Sequence, residues 1–121
     1  MNTKEKRFKD KISKHIFFKK KMDELKISNK YTGYYLLIEI IAEIINKRKT
    51  VSFSREIYPV VAKRFNINDF TIERNIRNLM QKGCFEIKTD KIGIDNIDEL
   101  GNITCRKFVF LIKDYIAQQI F

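Results

Sequence analysis

The chain of 121 residues has no tryptophan, one proline, four glycines, one histidine and two cysteines. Each shortage excludes something. A lone His15, with Cys84 and Cys105 far apart in sequence, offers neither the short paired spacing of a metal-ligand set nor a disulfide framework. There is no glycine-rich phosphate loop, no G-x-S-x-G and no C-x-x-C. The acids Asp95, Asp98 and Glu99 lack the spacing of a calcium-binding loop. The expectation is a protein without catalytic residues, metal, cofactor or small-molecule substrate. No apolar run reaches the ~18 residues of a membrane span. The N-terminus is charged, without the apolar segment and small-residue cleavage site of a secretory leader. Two scattered cysteines then fit a reduced, cytoplasmic protein.

What the chain has is positive charge and aliphatic residues. Lys and Arg number 25 against 15 Asp and Glu, a formal charge of +10, and 44% of residues are hydrophobic. That is enough apolar material for a core, and the basic balance points to an acidic partner, nucleic acid before anionic membrane. The charge is uneven: residues 1–30 hold eleven basic and four acidic side chains, +7 of the total. Phe8, Ile12 and Ile16 repeat every four residues, and Phe18, Met22 and Leu25 mark a second apolar strip. With no Pro or Gly before residue 31, a basic amphipathic helix from about Lys4 to Lys26 is expected. The chain thus divides into a basic segment, 1–30, and a domain, 31–121. The segment reads as a DNA-backbone arm, a dimerisation helix, a surface for another protein, or a helix folded onto the domain; His15 reads as a surface residue.

The fold class expected for the domain is all-α, a helix-turn-helix bundle with helices over 33–47, 55–65, 69–82 and 104–118. Leu37, Ile40, Ile41, Ile44 and Ile45 suit a central core helix, with Glu39 and Glu43 as its narrow solvent face. Tyr31, Tyr34 and Tyr35 at its start read as packing, and Asn46–Thr50 as a basic turn. Ser54 is placed to cap the next helix, which tolerates Pro59 near its start and buries Ile57, Val60, Val61 and Phe65. Asn68 or Asp69 caps the helix after the turn, where Ile72, Ile76, Leu79 and Met80 form the buried face. Opposite lie Arg74, Asn78 and Gln81, flanked by Thr71, Asn75 and Arg77. An apolar back with an Arg/Asn/Gln front suits a recognition helix, which packs on its own domain while sending donors into a major groove; a solvated surface helix has the same pattern. Beyond Gly83, residues 85–94 alternate as two short strands about Thr89-Asp90, a short β-hairpin being one reading, while 95–100 reads as a helical turn. Thr104 caps a final helix with Phe108, Leu111, Ile112, Tyr115 and Ile116 on its apolar face.

The runs GYYLLIEII, SREIYPVVAKRFN and IERNIR, then TCRKF before a terminal helix, resemble the C-terminal effector domain of the stage-zero sporulation master regulator of endospore-forming bacteria. That family shows G-Y-x-Y-L, then T-K-E-L-Y-P-x-I-A-K-K-F-N, then V-E-R-A-I-R. The likeness covers about residues 31–82 well and 101–116 loosely. It implies an all-helical domain that binds double-stranded DNA through a helix-turn-helix, as a transcription factor in sporulation control. The family's DNA-contacting E-R-x-x-R falls on Glu73, Arg74 and Arg77, where Arg can pair with guanine and Glu can accept from cytosine or orient an arginine. Three departures stand out. Thr71 sits where the family usually has a basic residue, and Gly83-Cys84-Phe85 replaces a Trp-containing continuation of the helix. The thirty residues ahead of the domain are also too few for the family's receiver fold, phosphoacceptor Asp and metal site.

Two functions follow as expectations. One is a DNA-binding transcriptional regulator, with Glu73, Arg74, Arg77, Thr71, Asn75 and Asn78 toward bases and Lys63 and Lys47 toward phosphates. The other is a protein-interaction module that forms a homodimer, or pairs with or antagonises a related full-length regulator. Arg74 and Arg77 favour the first; the altered Thr71 and Gly83–Phe85 region favours the second.

Overall fold

The computed structural model describes residues 16–47 and 56–120, the side chains of Asn46, Lys47 and Ile120 excepted. The start of the expected basic helix, with Phe8, Ile12 and His15, lies outside the described residues, as do most of the basic turn after Lys47 and the expected cap Ser54. Among the described residues five α-helices follow one another: α1 (Ile16–Glu24), α2 (Thr32–Lys47), α3 (Tyr58–Phe65), α4 (Asp69–Lys82) and α5 (Cys105–Ile120). Two 3₁₀ turns, Thr89–Ile92 and Ile97–Asn102, link α4 to α5. The four helices from α2 to α5 fall within a few residues of the expected ranges, and the fold is all-α. Among the described residues no helix is long and apolar enough to cross a membrane.

The central element is α2, which is apolar nearly all round and buried nearly all round: Tyr34, Leu36, Leu37, Ile38, Ile40, Ile41 and Ile44 all belong to the core. Its most extensive partner is α4, through Ile72, Ile76 and Leu79, each wholly buried as the spacing predicts. The two backbones approach closely at Gly33. A Cβ there would stand 2.3 Å from the carbonyl oxygen of Asn75 and 3.0 Å from Cβ of Leu79. Glycine is therefore required by proximity at this crossing.

The expected solvent face of α2 needs correction. Glu39 is buried, 3% exposed, and accepts from Nη1 of Arg64 at 2.7 Å, while Nη2 of the same guanidinium pairs with Glu43. A carboxylate removed from water must be compensated, and a forked guanidinium does this for two acids one helical turn apart. Arg64 thereby ties α3 to α2. No buried side-chain polar atom among the described residues lacks a partner.

Packing is continuous across residue 30. Met22, Leu25 and Ile27 lie in the same core cluster as the other helices. The hydroxyl of Tyr34 donates to the Asp23 carboxylate at 2.7 Å, and burial followed by that bond pushes its pKa far above the ordinary value. The loop after α1, with Lys26 in the left-handed region, bonds to the chain beyond α4: Ser28 N–H donates to the Gly83 carbonyl and Lys88 N–H to that of Leu25, both at 2.9 Å. The described part of the basic segment is folded onto the domain, one of the four arrangements its periodicity left open.

Residues 85–94 do not form a hairpin. Lys91 N–H bonds back to Lys88, and Ile94 N–H to Thr89, closing a 3₁₀ turn capped by Gly93 at φ 79°. The period-two alternation suits one half-buried face, but Ile87, Ile92 and Ile94 all enter the same core. Burial of these isoleucines overrides local strand preference. The helical turn expected over 95–100 is present two residues later, as the 3₁₀ turn Ile97–Asn102.

Two stability tests follow from this packing. Arg64→Ala should cost about 2–3 kcal/mol by urea denaturation, somewhat below a fully buried pair because Arg64 is 30% exposed. Replacing Arg64 by Met together with Glu39 by Leu should recover much of that loss. Gly33→Ala should lower stability by roughly 1–3 kcal/mol through overpacking against α4, although alanine is the better helix former. A gain in melting temperature for Gly33→Ala would exclude the close crossing.

Candidate nucleic-acid interface

Helices α3 and α4 form a helix-turn-helix with a three-residue turn. Asn66 ends α3 in the left-handed conformation, φ 55° and ψ 47°, and its N–H bonds to the carbonyls of Ala62 and Lys63. Asparagine tolerates this conformation better than most residues with a side chain. Ile67 continues the turn, with its N–H on Ala62. Asn68 then caps α4: its Oδ1 accepts from the Thr71 amide at 2.8 Å and from the Thr71 hydroxyl at 3.0 Å. Of the two expected caps, Asn68 takes the role and Asp69 sits in the first turn, where its charge favours the helix dipole.

Because Ile72, Ile76 and Leu79 are buried at spacings of four and three, the opposite stripe is set by helix geometry. It runs Phe70, Arg74, Arg77, Gln81, and all four are exposed. Arg74 lies at its centre and makes no ion pair among the described residues. Arg77 Nη2 lies 3.3 Å from Glu73 Oε1, one turn back, and both side chains remain about half exposed at 57% and 49%. Glu73 thus steadies Arg77 and leaves Arg74 to solvent. Thr71 and Asn75 are half-buried and engaged: the Thr71 hydroxyl is held by Asn68, and the Asn75 amide donates to the Thr71 carbonyl at 2.8 Å. Asn78 is half-buried on the flank, and Lys63 is exposed on α3. Lys47 is the last residue of α2, and its side chain is outside the described portion.

The structure also gathers residues that sequence spacing did not connect. The start of α5 lies against α4, with the Cys105 thiol 3.9 Å from the Glu73 carbonyl. Thr104 caps α5, its Oγ1 accepting from Lys107 N–H at 3.0 Å, as expected. Between α4 and this helix start runs a cleft of about 580 Å³, lined by Tyr58, Phe70, Glu73, Arg77 and residues 101–106. Arg106 reaches it and also stands 5.9 Å from the Phe110 ring centre. Its TCRKF context marks a helix start but gives no sign of what lies opposite. Phe70 was detectable in principle, as the one large apolar side chain on the polar stripe.

Burial raises the thiols and the phenol around this helix further above their ordinary values. It raises the Cys105 thiol despite the opposing influence of Arg77, raises Tyr58 far above its ordinary value, and pushes Cys84 up to about 12. All three are neutral near pH 7, so the charge of the α4 face is set by Arg74 and Arg77 against Asp69 and Glu73.

Over residues 18–116 the chain matches the family model described as the sporulation initiation factor Spo0A C terminal. Comparison with curated proteins and with solved structures gives no match. The family match begins inside α1 and ends inside α5, so it takes in the helix-turn-helix, the central helix and the half of the basic segment that joins the core. On that extent the chain belongs to the Spo0A C-terminal family, a family of sporulation-related DNA-binding domains of transcription regulation.

Proposed function

We propose that this chain is a sequence-specific transcriptional regulator of sporulation control that reads the major groove with α4, Asp69–Lys82. The observation that carries the reading is the pair of opposed stripes on α4: Ile72, Ile76 and Leu79 anchored in the core, Arg74 and Arg77 held outward. A helix fits the major groove, and a guanidinium there makes a bidentate pair with O6 and N7 of guanine. In this reading Arg74 and Arg77 contact bases. Glu73 braces Arg77 and accepts from cytosine N4, while Asn78 works at the margin. Thr71 and Asn75, tied to the cap and the helix backbone, hold the first turns in place more than they read bases. Lys63 and Lys47 neutralise phosphates, and the +7 of residues 1–30 adds backbone attraction without sequence preference. The work is done in the cytoplasm, where the DNA is.

A second reading has one observation in its favour. Phe85 and Ile97 are exposed, at 74% and 38%, beside a cleft lined by Met80, Cys84 and Leu100. A protein-interaction module that pairs with or antagonises a related regulator would cover such a patch.

Titration against a preferred and a scrambled duplex separates the two. Arg74→Ala and Arg77→Ala should each cost about 1–3 kcal/mol on the preferred site and relax preference. Glu73→Ala should lose discrimination more than affinity, since it removes the brace on Arg77 and the acceptor for cytosine while also relieving a carboxylate's repulsion from phosphates. Equal losses on both duplexes for both arginines would give the lead to the interaction module. Lys63→Ala should weaken all sequences alike and make the dependence of log K on log salt shallower by about one unit.

A further inference from the structure

Phe70 is the most exposed of the large hydrophobic side chains in the described chain, at 83%. An aromatic ring left in water contributes nothing to folding, and nothing in the local pattern calls for one: Asn68, Asp69, Thr71, Glu73 and Arg74 around it are polar or charged. Its place on the helix is informative. As the second residue of α4, Phe70 occupies the first turn, the part of a recognition helix that approaches base edges. It begins the outward stripe that continues through Arg74 and Arg77, four and seven residues on, so any surface met by those arginines meets the ring as well.

The occupant is constrained by what the stripe combines. Two guanidiniums and an apolar ring in one line suit a surface that offers acceptors and an apolar group side by side. The major groove does so wherever guanine O6 and N7 stand near the C5 methyl of thymine, and Phe is among the side chains suited to that methyl. An apolar protein patch would satisfy Phe70 but leave Arg74 without an acceptor. The net charge of +10 also opposes a second copy meeting the first across this face. Along the axis Phe70 and Arg74 are about 6 Å apart, roughly two base-pair steps.

We propose that Phe70 is a specificity-determining residue that packs its ring on the C5 methyl of a thymine within about two base pairs of the base met by Arg74. The inference rests on α4 being the recognition helix, and adds to that reading a preference for a particular base carried by an apolar contact. Phe70 makes this contact from the protein surface, so its removal leaves the core intact.

The test uses the full chain and the duplex it selects from a randomised pool, with each thymine replaced singly by deoxyuridine, which lacks only the methyl. At one or two positions near the base read by Arg74, the wild type should bind the uracil duplex roughly fourfold more weakly, the worth of one buried methyl group. Phe70→Ala should bind the parent duplex more weakly and no longer distinguish thymine from uracil, with an unchanged circular dichroism spectrum. Phe70→Leu should keep part of the discrimination. The proposal is overturned if no thymine position matters to the wild type, or if Phe70→Ala discriminates as well as the parent. It is also overturned if Phe70→Ala abolishes only a concentration-dependent self-association. Arg74→Ala in the same assay distinguishes the two failures. If it relaxes base preference while the methyl makes no difference, Phe70 alone has been misassigned. If it relaxes nothing, α4 does not read DNA and both readings fall.

Discussion

The close crossing of α2 and α4 at Gly33 is the constraint on which the outward face of α4 depends. A helix is rigid about its own axis, so burying Ile72, Ile76 and Leu79 against α2 determines which side chains face away. The absence of a Cβ at Gly33 lets the Asn75 carbonyl lie almost against the backbone of α2, leaving α4 little room to roll. A roll of one residue position, about 100°, would carry Arg74 to the rim of the core and expose an isoleucine. Presentation of the basic stripe is therefore a property of the helix pair rather than of α4 alone.

Two further ties hold the helix-turn-helix in place. Arg64 anchors α3 to α2 through Glu39 and Glu43, while the Asn66–Asn68 turn carries that position on to the start of α4. At the far end, Gly83 and Lys88 bond to the loop after α1, which is itself rooted in the core by Leu25 and Ile27. Both ends of α4 are thus fastened to elements outside the helix-turn-helix. Side chains held on such a frame meet a partner with less ordering cost than side chains on a loop.

The charge pattern gives the two arginines of α4 different characters. Arg77 is paired with Glu73 and offers its remaining donors in a defined direction, whereas Arg74 stands in solvent. In water such an exposed i, i+4 pair contributes only a few tenths of a kcal/mol, so its value lies in orientation and not in stability. The protonated Cys105 thiol and Tyr58 hydroxyl, which line the same cleft as this pair, add no charge of their own.

The local elements were legible in the sequence because helical spacing and caps are properties of short windows. The boundaries of α2, α4 and α5, the burial of Ile72 and Ile76, the exposure of Arg74 and the caps Asn68 and Thr104 all follow from residues within about a dozen positions of one another. Glu39 differs from its expected exposure for the same reason: on an apolar helix, two acids four residues apart look like a solvent strip, and the shared partner Arg64 lies 25 residues beyond Glu39. The alternation of 85–94 is genuine, but it is the core that claims Ile87, Ile92 and Ile94 and leaves no ladder to form. That Met22 and Leu25 belong to the core, that Gly33 touches Asn75, and that the start of α5 forms a cleft with Phe70 depended equally on docking. Backbone periodicity is contained in any stretch of chain, whereas burial and pairing depend on which distant surfaces meet, and only the tertiary structure decides that.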